Sequence, residues 1–277
     1  MNILMINNTC GSGWNYKTEL QKRGHNVILI ANVNKVLDGT PDYRMDKNGL
    51  KQLSKAYPEF YFDIVHINAP NVFLIWKLTK WLKYTKMVLH WRGRDIREKS
   101  YPRYVYGWHG SDARKFCTTV PKTTFSLLYY KLMKSIPSYH LYSTIDLRWY
   151  INHLFNDDKP KQLLRTPVNT SVFKPIVNYE DRPYRLLIWG KGSLSSGEFI
   201  PHNKVPNLLN KYKEVTCYPN DGIDPHIVSV SAMEAAACGC KVTHHPYMNR
   251  DWVVKNASIQ SQTNRLEKIY KELLNNV

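Results

Sequence analysis

The sequence is poor in acidic residues and in cysteine, and it lacks any long apolar run. Its 277 residues include 22 Asp and Glu against 39 Lys and Arg, which gives a formal net charge of +17. The five cysteines are odd in number and form no Cys-x-x-Cys pair, so neither a disulfide framework nor a zinc site is indicated. No segment reaches the roughly 18 consecutive apolar residues that a membrane-spanning helix needs. We therefore expect a soluble or peripheral protein of a reducing cytoplasm.

The N-terminal residues 1–8 also lack the basic region and the long apolar segment of a secretion signal. We interpret them as a buried strand. Apolar residues make up 43% of the chain, which is enough for real hydrophobic cores. The excess of positive charge predicts a polyanionic partner, namely nucleic acid, an anionic lipid surface or a phosphorylated substrate. The alternative is that the basic side chains are solvated and serve no partner.

Short apolar runs alternate with longer amphipathic segments in the first half of the chain. This alternation predicts βαβ units and a parallel sheet, because crossover helices join parallel strands. The predicted strands are residues 3–6, 27–31, 64–67, 87–90, 139–143 and 162–164, and the predicted helices are residues 15–22 and 72–83.

A second series of the same kind starts near residue 184. Its predicted strands are residues 185–189, 215–218 and 241–244, and its predicted helices are residues 205–213 and 227–237. Two prolines in the polar segment 165–175 indicate a connector between the two series. We therefore predict an α/β protein with domains at residues 1–174 and 175–255 and a C-terminal segment at 256–277. Apolar residues at helical spacing predict an amphipathic helix over residues 263–274 of that segment.

The most informative segment is the run from Ser231 to Val242, SAMEAAACGCKV. It predicts a helix that carries Glu234, ends at Gly239 and leads into a strand. A helix N-terminus suits phosphate, because it offers unpaired N–H groups and the positive end of the helix dipole. A carboxylate near that end suits the paired hydroxyls of a ribose, as in dinucleotide-binding folds. The run resembles the "EAMACG" nucleotide-sugar signature of retaining glycosyltransferases with the GT-B fold.

The resemblance covers nearly the whole chain. The opening MNILMINNTCGSGW is similar to the family's first strand and glycine-bearing loop, where Gly11 and Gly13 would let the backbone approach donor and acceptor. The segment VLHWRGRDIR resembles the one in which retaining members carry a histidine that touches the donor sugar, here His90; a core histidine is the alternative. The segment RTPVNTSVFKP is similar to the family's connector. A cationic patch that could hold phosphate or be solvated comprises Arg92, Arg94 and Arg97.

The second half departs from the family pattern at two positions of the donor site. The segment LLIWGKGSLSSGEF lies where the family has a cationic loop for the donor diphosphate. Gly190 matches that loop, while Lys191 replaces its arginine and Ser196 stands at its lysine. The first of the family's paired glutamates falls on His226, and Glu234 matches the second, the ribose ligand. The resemblance implies that donor binding involves Gly11, Gly13, Gly190, Lys191, Ser229, Ser231 and Glu234.

The resemblance implies two Rossmann-like domains that face each other across a cleft, with the C-terminal helix crossing back to the first domain. It implies a hexosyl- or pentosyltransferase that uses a nucleotide-sugar, a UDP-sugar above all, and no further cofactor. Family members stabilise the leaving diphosphate with helix N-termini and cationic side chains. The sequence has no Asp-x-Asp metal motif, in agreement with a reaction that needs no metal. The candidate catalytic residues are His90, His226 and, as general base, Asp95, with Asp112 and His109 as other candidates for the base.

The net charge favours a polyanionic acceptor, and our leading hypothesis is a hydroxymethylated base in DNA of the phage type. DNA glucosyltransferases of phages are similar GT-B enzymes, and this chain resembles them in its short second half. The 19 tyrosines and eight tryptophans could form a pocket for a base flipped out of the duplex. The enzyme would then act in a host cytoplasm.

Two alternatives remain open. One is a cell-envelope or lipid-linked glycan glycosyltransferase that docks at an anionic membrane surface. The other is a nucleic-acid-binding protein without catalytic activity on a degenerate GT-B frame, which the residues Ser196 and His226 would explain.

Overall fold

The computed structural model of the chain describes residues 1–32, 39–69, 82, 85–92, 138–145, 147–148, 151–152, 159–190, 193–194, 200–217 and 228–275. They divide into two units. The first comprises the described residues up to Leu164 together with residues 263–275, and the second comprises those from Arg165 to Gln262. The second unit begins upstream of residue 175 because Val168 and Phe173, from the predicted connector, are buried in its core.

The sheet of the first unit consists of seven parallel strands in the order β3-β2-β1-β4-β5-β6-β7. Six of them match the predicted strands, while β3, only two residues long, gave no pattern in the sequence. An order that runs outward in both directions from β1 and β4 is that of a Rossmann-like sheet. The strands are β1 (Asn2–Ile6), β2 (Asn26–Ala31), β3 (Tyr43–Arg44), β4 (Ile64–Asn68), β5 (Lys86–Trp91), β6 (Ser138–Tyr142) and β7 (Lys161–Leu163).

The described part of the chain contains six bounded α-helices and two short 3-10 helices, Thr9–Gly11 and His202–Lys204. The predicted helix 15–22 is confirmed within the first α-helix and the predicted helix 263–274 within the last, while the predicted helix 72–83 lies almost wholly outside the described residues. The α-helices are α1 (Ser12–Lys22), α2 (Lys47–Ala56), α3 (Val205–Leu209), α4 (Val230–Ala237), α5 (Arg250–Ala257) and α6 (Ile259–Asn275).

The first sheet is covered on both faces, as parallel sheets require. Alternate residues of β1 divide between two cores: Ile3 points to one and Leu4 to the other. Helix α1 contributes Leu20 to the core that holds Ile3, and α2 contributes Leu53 to the core that holds Leu4. Each strand therefore needs apolar residues at successive positions, which explains why the sequence shows continuous apolar runs.

The C-terminal helix returns to the first unit, as the sequence predicted. Tyr270 of α6 is fully buried in the core that contains Ile3. On the helix surface, Arg23 donates to Glu267 at 3.1 Å, and Lys271 lies 2.8 Å from the same carboxylate. The hydrogen bond from Lys271, with a further one from Arg23, lowers the pKa of Glu267 to about 2. This ion-pair network and the buried tyrosine fasten α6 to α1.

The second unit has a four-stranded sheet in the order β11-β10-β8-β9. Its strands are β8 (Tyr184–Gly190), β9 (Ser193–Leu194), β10 (Tyr212–Cys217) and β11 (Lys241–Val242). The strands β8, β10 and β11 are parallel, and β9 forms an antiparallel pair with β8. The sheet therefore repeats the α/β organisation that the sequence predicted for this half.

The predicted helix 205–213 is wrong beyond Leu209. Asn210 is 2% exposed, and its side chain is hydrogen-bonded to Ile176 N at 2.7 Å and to Lys174 O at 3.0 Å. These bonds tie the end of α3 to the connector, and strand β10 then begins at Tyr212, before the predicted residue 215. The predicted strand 241–244 is also shorter than expected, because the chain turns after Val242.

One face of strand β8 in the second sheet is exposed. Along β8, Tyr184, Leu186 and Ile188 are exposed by 52%, 48% and 43%, while Leu187 between them is buried in the core. A parallel sheet is normally covered on both faces. The apolar pattern of β8 therefore reflects a covered face and an open one, which the sequence alone does not distinguish.

Candidate functional site

The first sheet has a topological switch point between β1 and β4, from which the strand order runs outward in both directions. Open α/β sheets bind ligands at this place, beyond the carboxyl ends of the strands. Two asparagines mark it here. Asn7, directly after β1, donates from Nδ2 to Asn68 O at 2.8 Å, and Asn68 donates from its own Nδ2 to Asn7 O at 3.2 Å. The two strand ends are thus held together by reciprocal amide bonds.

The backbone around the switch point adopts left-handed conformations at residues other than glycine. Asn7, Cys10 and Ala69 have φ angles of 69°, 52° and 52°. Such conformations cost roughly 1–2 kcal/mol each and tend to persist at functional sites. Gly11, at the N-cap of α1, also lies in this region with φ of 73°. Four left-handed residues at one edge of the sheet are independent support for a site there.

Gly13 allows α1 to start directly against the end of β1. A Cβ atom at this position would lie 2.5 Å from Asn7 O and 3.1 Å from Leu29 Cδ1. No real Cβ approaches a backbone oxygen so closely, so only glycine fits. The structure therefore places Gly11 in the loop where the sequence expected it and Gly13 in the first turn of α1. The contact of either residue with a ligand stays a prediction.

Arg92 joins three elements of the switch point. Its guanidinium donates to Asn68 Oδ1 at 2.6 Å, to Ser12 Oγ at 2.8 Å and to Ser143 Oγ at 3.1 Å. Asn68 is the last residue of β4, Ser12 begins α1, and Ser143 directly follows β6. The planar fork of arginine suits such a task, because its donors point in fixed directions. Arg92 came from the sequence as part of a cationic patch, whereas the structure gives it the task of holding strand ends.

Beneath this edge lies a buried chain of hydrogen bonds, formed by Tyr270, His66, His90 and the carbonyl of Leu164. The Tyr270 hydroxyl lies 2.6 Å from His66 Nδ1, His66 Nε2 lies 3.3 Å from His90 Nδ1, and His90 Nε2 lies 3.0 Å from Leu164 O. A carbonyl only accepts, so His90 must carry its proton on Nε2. If His90 is neutral, His66 donates to it and Tyr270 donates to His66.

Burial keeps both imidazoles neutral. Both histidines are 0% exposed. Desolvation, together with the positive charge of Arg92, lowers the pKa of His66 to about 3 and holds the pKa of His90 well below its usual value. A neutral ring with both nitrogens hydrogen-bonded inside the protein stabilises the core. The contact of His90 with a donor sugar stays a prediction, while its position is that of a satisfied core histidine.

In the second unit, α4 presents the residues of the signature segment. Ser229 caps the helix, and its Oγ accepts from Ala232 N at 3.1 Å. Ser231 lies half-buried in the first turn. Glu234, one turn further on, has a side chain that is only 10% exposed, and its Oε1 lies 2.9 Å from His202 Nε2. The predicted helix, its carboxylate and its end at Gly239 are thus confirmed, while the ligands of these residues stay predictions.

Two arginines hold the carboxyl end of α4. Arg182, 4% exposed, donates from Nη2 to Cys238 O at 2.6 Å and from Nη1 to Tyr212 O at 2.9 Å. Arg250 donates from Nη1 to Ala237 O at 2.7 Å. Cations at a helix C-terminus satisfy its free carbonyls and oppose the negative end of its dipole. The helix that carries Glu234 is therefore fixed at both ends.

We expect Arg182→Met to lower the free energy of unfolding by about 3 kcal/mol, because buried carbonyls lose a charged donor. Urea unfolding followed by circular dichroism measures the change. Arg185→Met is the matched control, since Arg185 is exposed on β8 and its loss should change stability by less than about 0.5 kcal/mol. Equal losses in the two variants would contradict the helix-end assignment.

Several predicted site residues lie outside the described part of the chain: Asp95, Asp112, His109, His226, Lys191, Ser196, Arg94 and Arg97. Gly190 is described and ends β8, where it pairs with Ser193 of β9. Within the described residues, no group of three His, Cys, Asp or Glu is arranged to hold a metal ion. No helix in this part of the chain is long and apolar enough to cross a membrane.

Among the residues of these arrangements that sequence reasoning missed are Asn68, Ser143 and His202. Asn68 left a weak signal, as a polar residue at the end of an apolar run. His202 left none, because it lies far from Glu234 in the sequence and only the fold brings them together.

Comparison of the sequence with models of protein families and with curated proteins finds no match. Comparison with solved structures finds similar folds over the full chain. Sucrose-phosphate synthase from Thermosynechococcus elongatus has a TM-score of 0.62 at 11% identity, with 100% of both chains covered. A glycosyltransferase from Rickettsia africae has a TM-score of 0.61 at 12% identity, covering 100% of this chain and 99% of that one. Anabaena HepE, solved in complex with UDP and glucose, has a TM-score of 0.56 at 8% identity, covering 98% and 99%.

These likenesses concern the fold, since the identities are low. They agree with the two α/β units described above, one with an all-parallel sheet and one with a mainly parallel sheet. The chain has the α/β fold of the GT-B glycosyltransferases.

Proposed function

We propose that this chain is a glycosyltransferase that moves a sugar from a UDP-sugar to an acceptor hydroxyl. The observation that carries the proposal is Glu234, a carboxylate with a side chain only 10% exposed, on a helix that Ser229 caps. Burial of a carboxylate is costly unless donors surround it. His202 supplies one donor, and we assign the remaining acceptor positions to the ribose hydroxyls of the donor nucleotide.

The donor diphosphate would lie at the N-terminus of α4. The first turn of this helix contains no acidic residue, and the half-buried Ser231 lies within it. Negative charge grows on the diphosphate as the sugar leaves, and backbone N–H groups with the helix dipole stabilise that charge. We add Lys191 to this binding site on the basis of the family resemblance. In support, HepE, a protein of similar fold, was solved with UDP and glucose.

We further propose that the acceptor is polyanionic, with a hydroxymethylated base in duplex DNA as the leading candidate. The net charge of +17 supports this choice, because a basic surface attracts the phosphate backbone. A lipid-linked acceptor at an anionic membrane is the rival. A nucleic-acid-binding protein without catalysis is the further alternative.

The test is release of UDP from UDP-glucose, and from UDP-xylose as a pentosyl donor, with three acceptors. These are a duplex that contains hydroxymethylcytosine, the same duplex with cytosine, and anionic vesicles that carry a polyprenyl phosphate. We expect UDP release and a base-linked sugar with the first duplex alone, unchanged by EDTA. Sugar transfer to the polyprenyl phosphate on the vesicles would contradict a DNA acceptor and support the lipid-linked acceptor. The proposed function is wrong if the protein turns over none of the UDP-sugars and if none of them raises its melting temperature.

A further inference from the structure

We propose that His202 is a positioning residue that orients Glu234 and thereby makes the site selective for ribonucleotides over 2′-deoxyribonucleotides. The inference rests on the proposed function, since it assumes that a nucleotide binds at Glu234. It goes further, because it assigns a positioning task, and with it the selectivity for ribonucleotides, to a residue that no sequence pattern indicated.

The geometry divides the carboxylate into a fixed oxygen and an available one. His202 Nε2 lies 2.9 Å from Glu234 Oε1, and a carboxylate only accepts, so the imidazole donates. The other oxygen, Oε2, has no hydrogen-bond partner among the described residues, although the side chain is only 10% exposed. A carboxylate has about four lone-pair positions, so His202 leaves room for two hydroxyl donors.

The imidazole is itself held by the core of the second unit. Its ring lies 5.3 Å from the ring of Phe173, centroid to centroid, and Phe173 is 2% exposed. Arg250 donates to both Phe173 O at 3.0 Å and Ala237 O at 2.7 Å. Ala237 ends the helix that carries Glu234. The imidazole of His202, the ring of Phe173 and the carboxylate of Glu234 are therefore all connected to helix α4.

Orientation matters because a glutamate side chain has several rotamers, and fixing it costs conformational entropy. A hydrogen bond already present in the free protein removes that cost from ligand binding. With Oε1 held, the carboxylate faces a diol in one direction. A 2′-deoxyribose lacks one of the two hydroxyls, so a nearly buried oxygen of the Glu234 carboxylate would be left without a donor. An unsatisfied buried acceptor weakens binding.

The experiment compares the dissociation constants of UDP and 2′-deoxy-UDP by calorimetry. We expect the unaltered protein to prefer UDP by about tenfold or more, which corresponds to one hydrogen bond to a charged group. His202→Phe keeps the ring but has no donor, and we expect the preference to fall to about unity with UDP binding about tenfold weaker. His202→Gln, with an amide donor, should restore part of the preference. His244→Phe is the matched control at an exposed histidine of the same unit and should leave the preference unchanged.

The melting temperature without ligand verifies that each variant is folded. If His202→Phe does not fold, His202→Asn replaces it, since its amide is too short to reach Glu234. An unchanged preference in a folded His202 variant that still binds UDP overturns this inference and leaves the proposed function intact. Failure of the unaltered protein to bind UDP or any UDP-sugar overturns the proposed function, and this inference with it.

Discussion

We expect Glu234→Ala to weaken UDP binding by about a hundredfold, because under the proposed function it removes two hydrogen bonds from ribose hydroxyls to a carboxylate, worth about 1.5 kcal/mol or more each. The thermal stabilisation by UDP falls accordingly, since it depends on ligand concentration relative to the dissociation constant. Calorimetry and a thermal-shift titration measure the two effects.

The matched control for this variant is Glu180→Ala, the same change at a glutamate of the same unit. The side chain of Glu180 is 86% exposed, so its loss should leave UDP binding unchanged. If Glu234→Ala binds UDP as tightly as the unaltered protein, the carboxylate is not a ribose ligand. The proposed function would then lose the observation on which it depends.

We expect acidification from pH 7 to pH 5 to lower the free energy of unfolding by about 2 kcal/mol through the buried imidazole of His66, with a further loss in the same direction from His90. The folded-state pKa of His66 is lowered to about 3, whereas an unfolded histidine has a pKa near 6.5. The unfolded chain therefore binds more protons in this range. The contribution of the neutral, buried His66 to stability is fully present above about pH 6.5 and is lost as the pH falls towards the folded-state pKa.

Urea unfolding at pH 7 and pH 5 measures this loss, and His66→Gln isolates it. The amide can accept from Tyr270 and donate to His90, but it does not titrate. We expect the stability difference between the two pH values to shrink by about 2 kcal/mol in this variant. The exposed His244→Gln should leave the difference unchanged. If His66→Gln also leaves it unchanged, the buried chain does not account for the sensitivity to acid.

The fold could be predicted from the sequence because its signals are local. A strand buried on both faces must be apolar at successive positions, and six such runs predicted six of the seven strands of the first sheet. Short elements were not predicted, because they are too short to show a periodic pattern; β3 has only two residues. The end of α3 was misjudged because Asn210 ends it through bonds to the connector, which no local pattern encodes.

In the candidate site, too, features that depend on neighbouring residues could be predicted, whereas contacts between residues far apart in the chain could not. The sequence by itself determined the α/β fold class, the helix that carries Glu234 and the two glycines at the start of α1, because each depends on neighbouring residues. Only the tertiary structure decided that His90 is a fully buried link between His66 and Leu164, that Arg92 joins the ends of β4 and β6 to the start of α1, and that His202 meets Glu234. These contacts join residues far apart in the chain, and burial and hydrogen-bond partners at such separations follow from packing rather than from any local period.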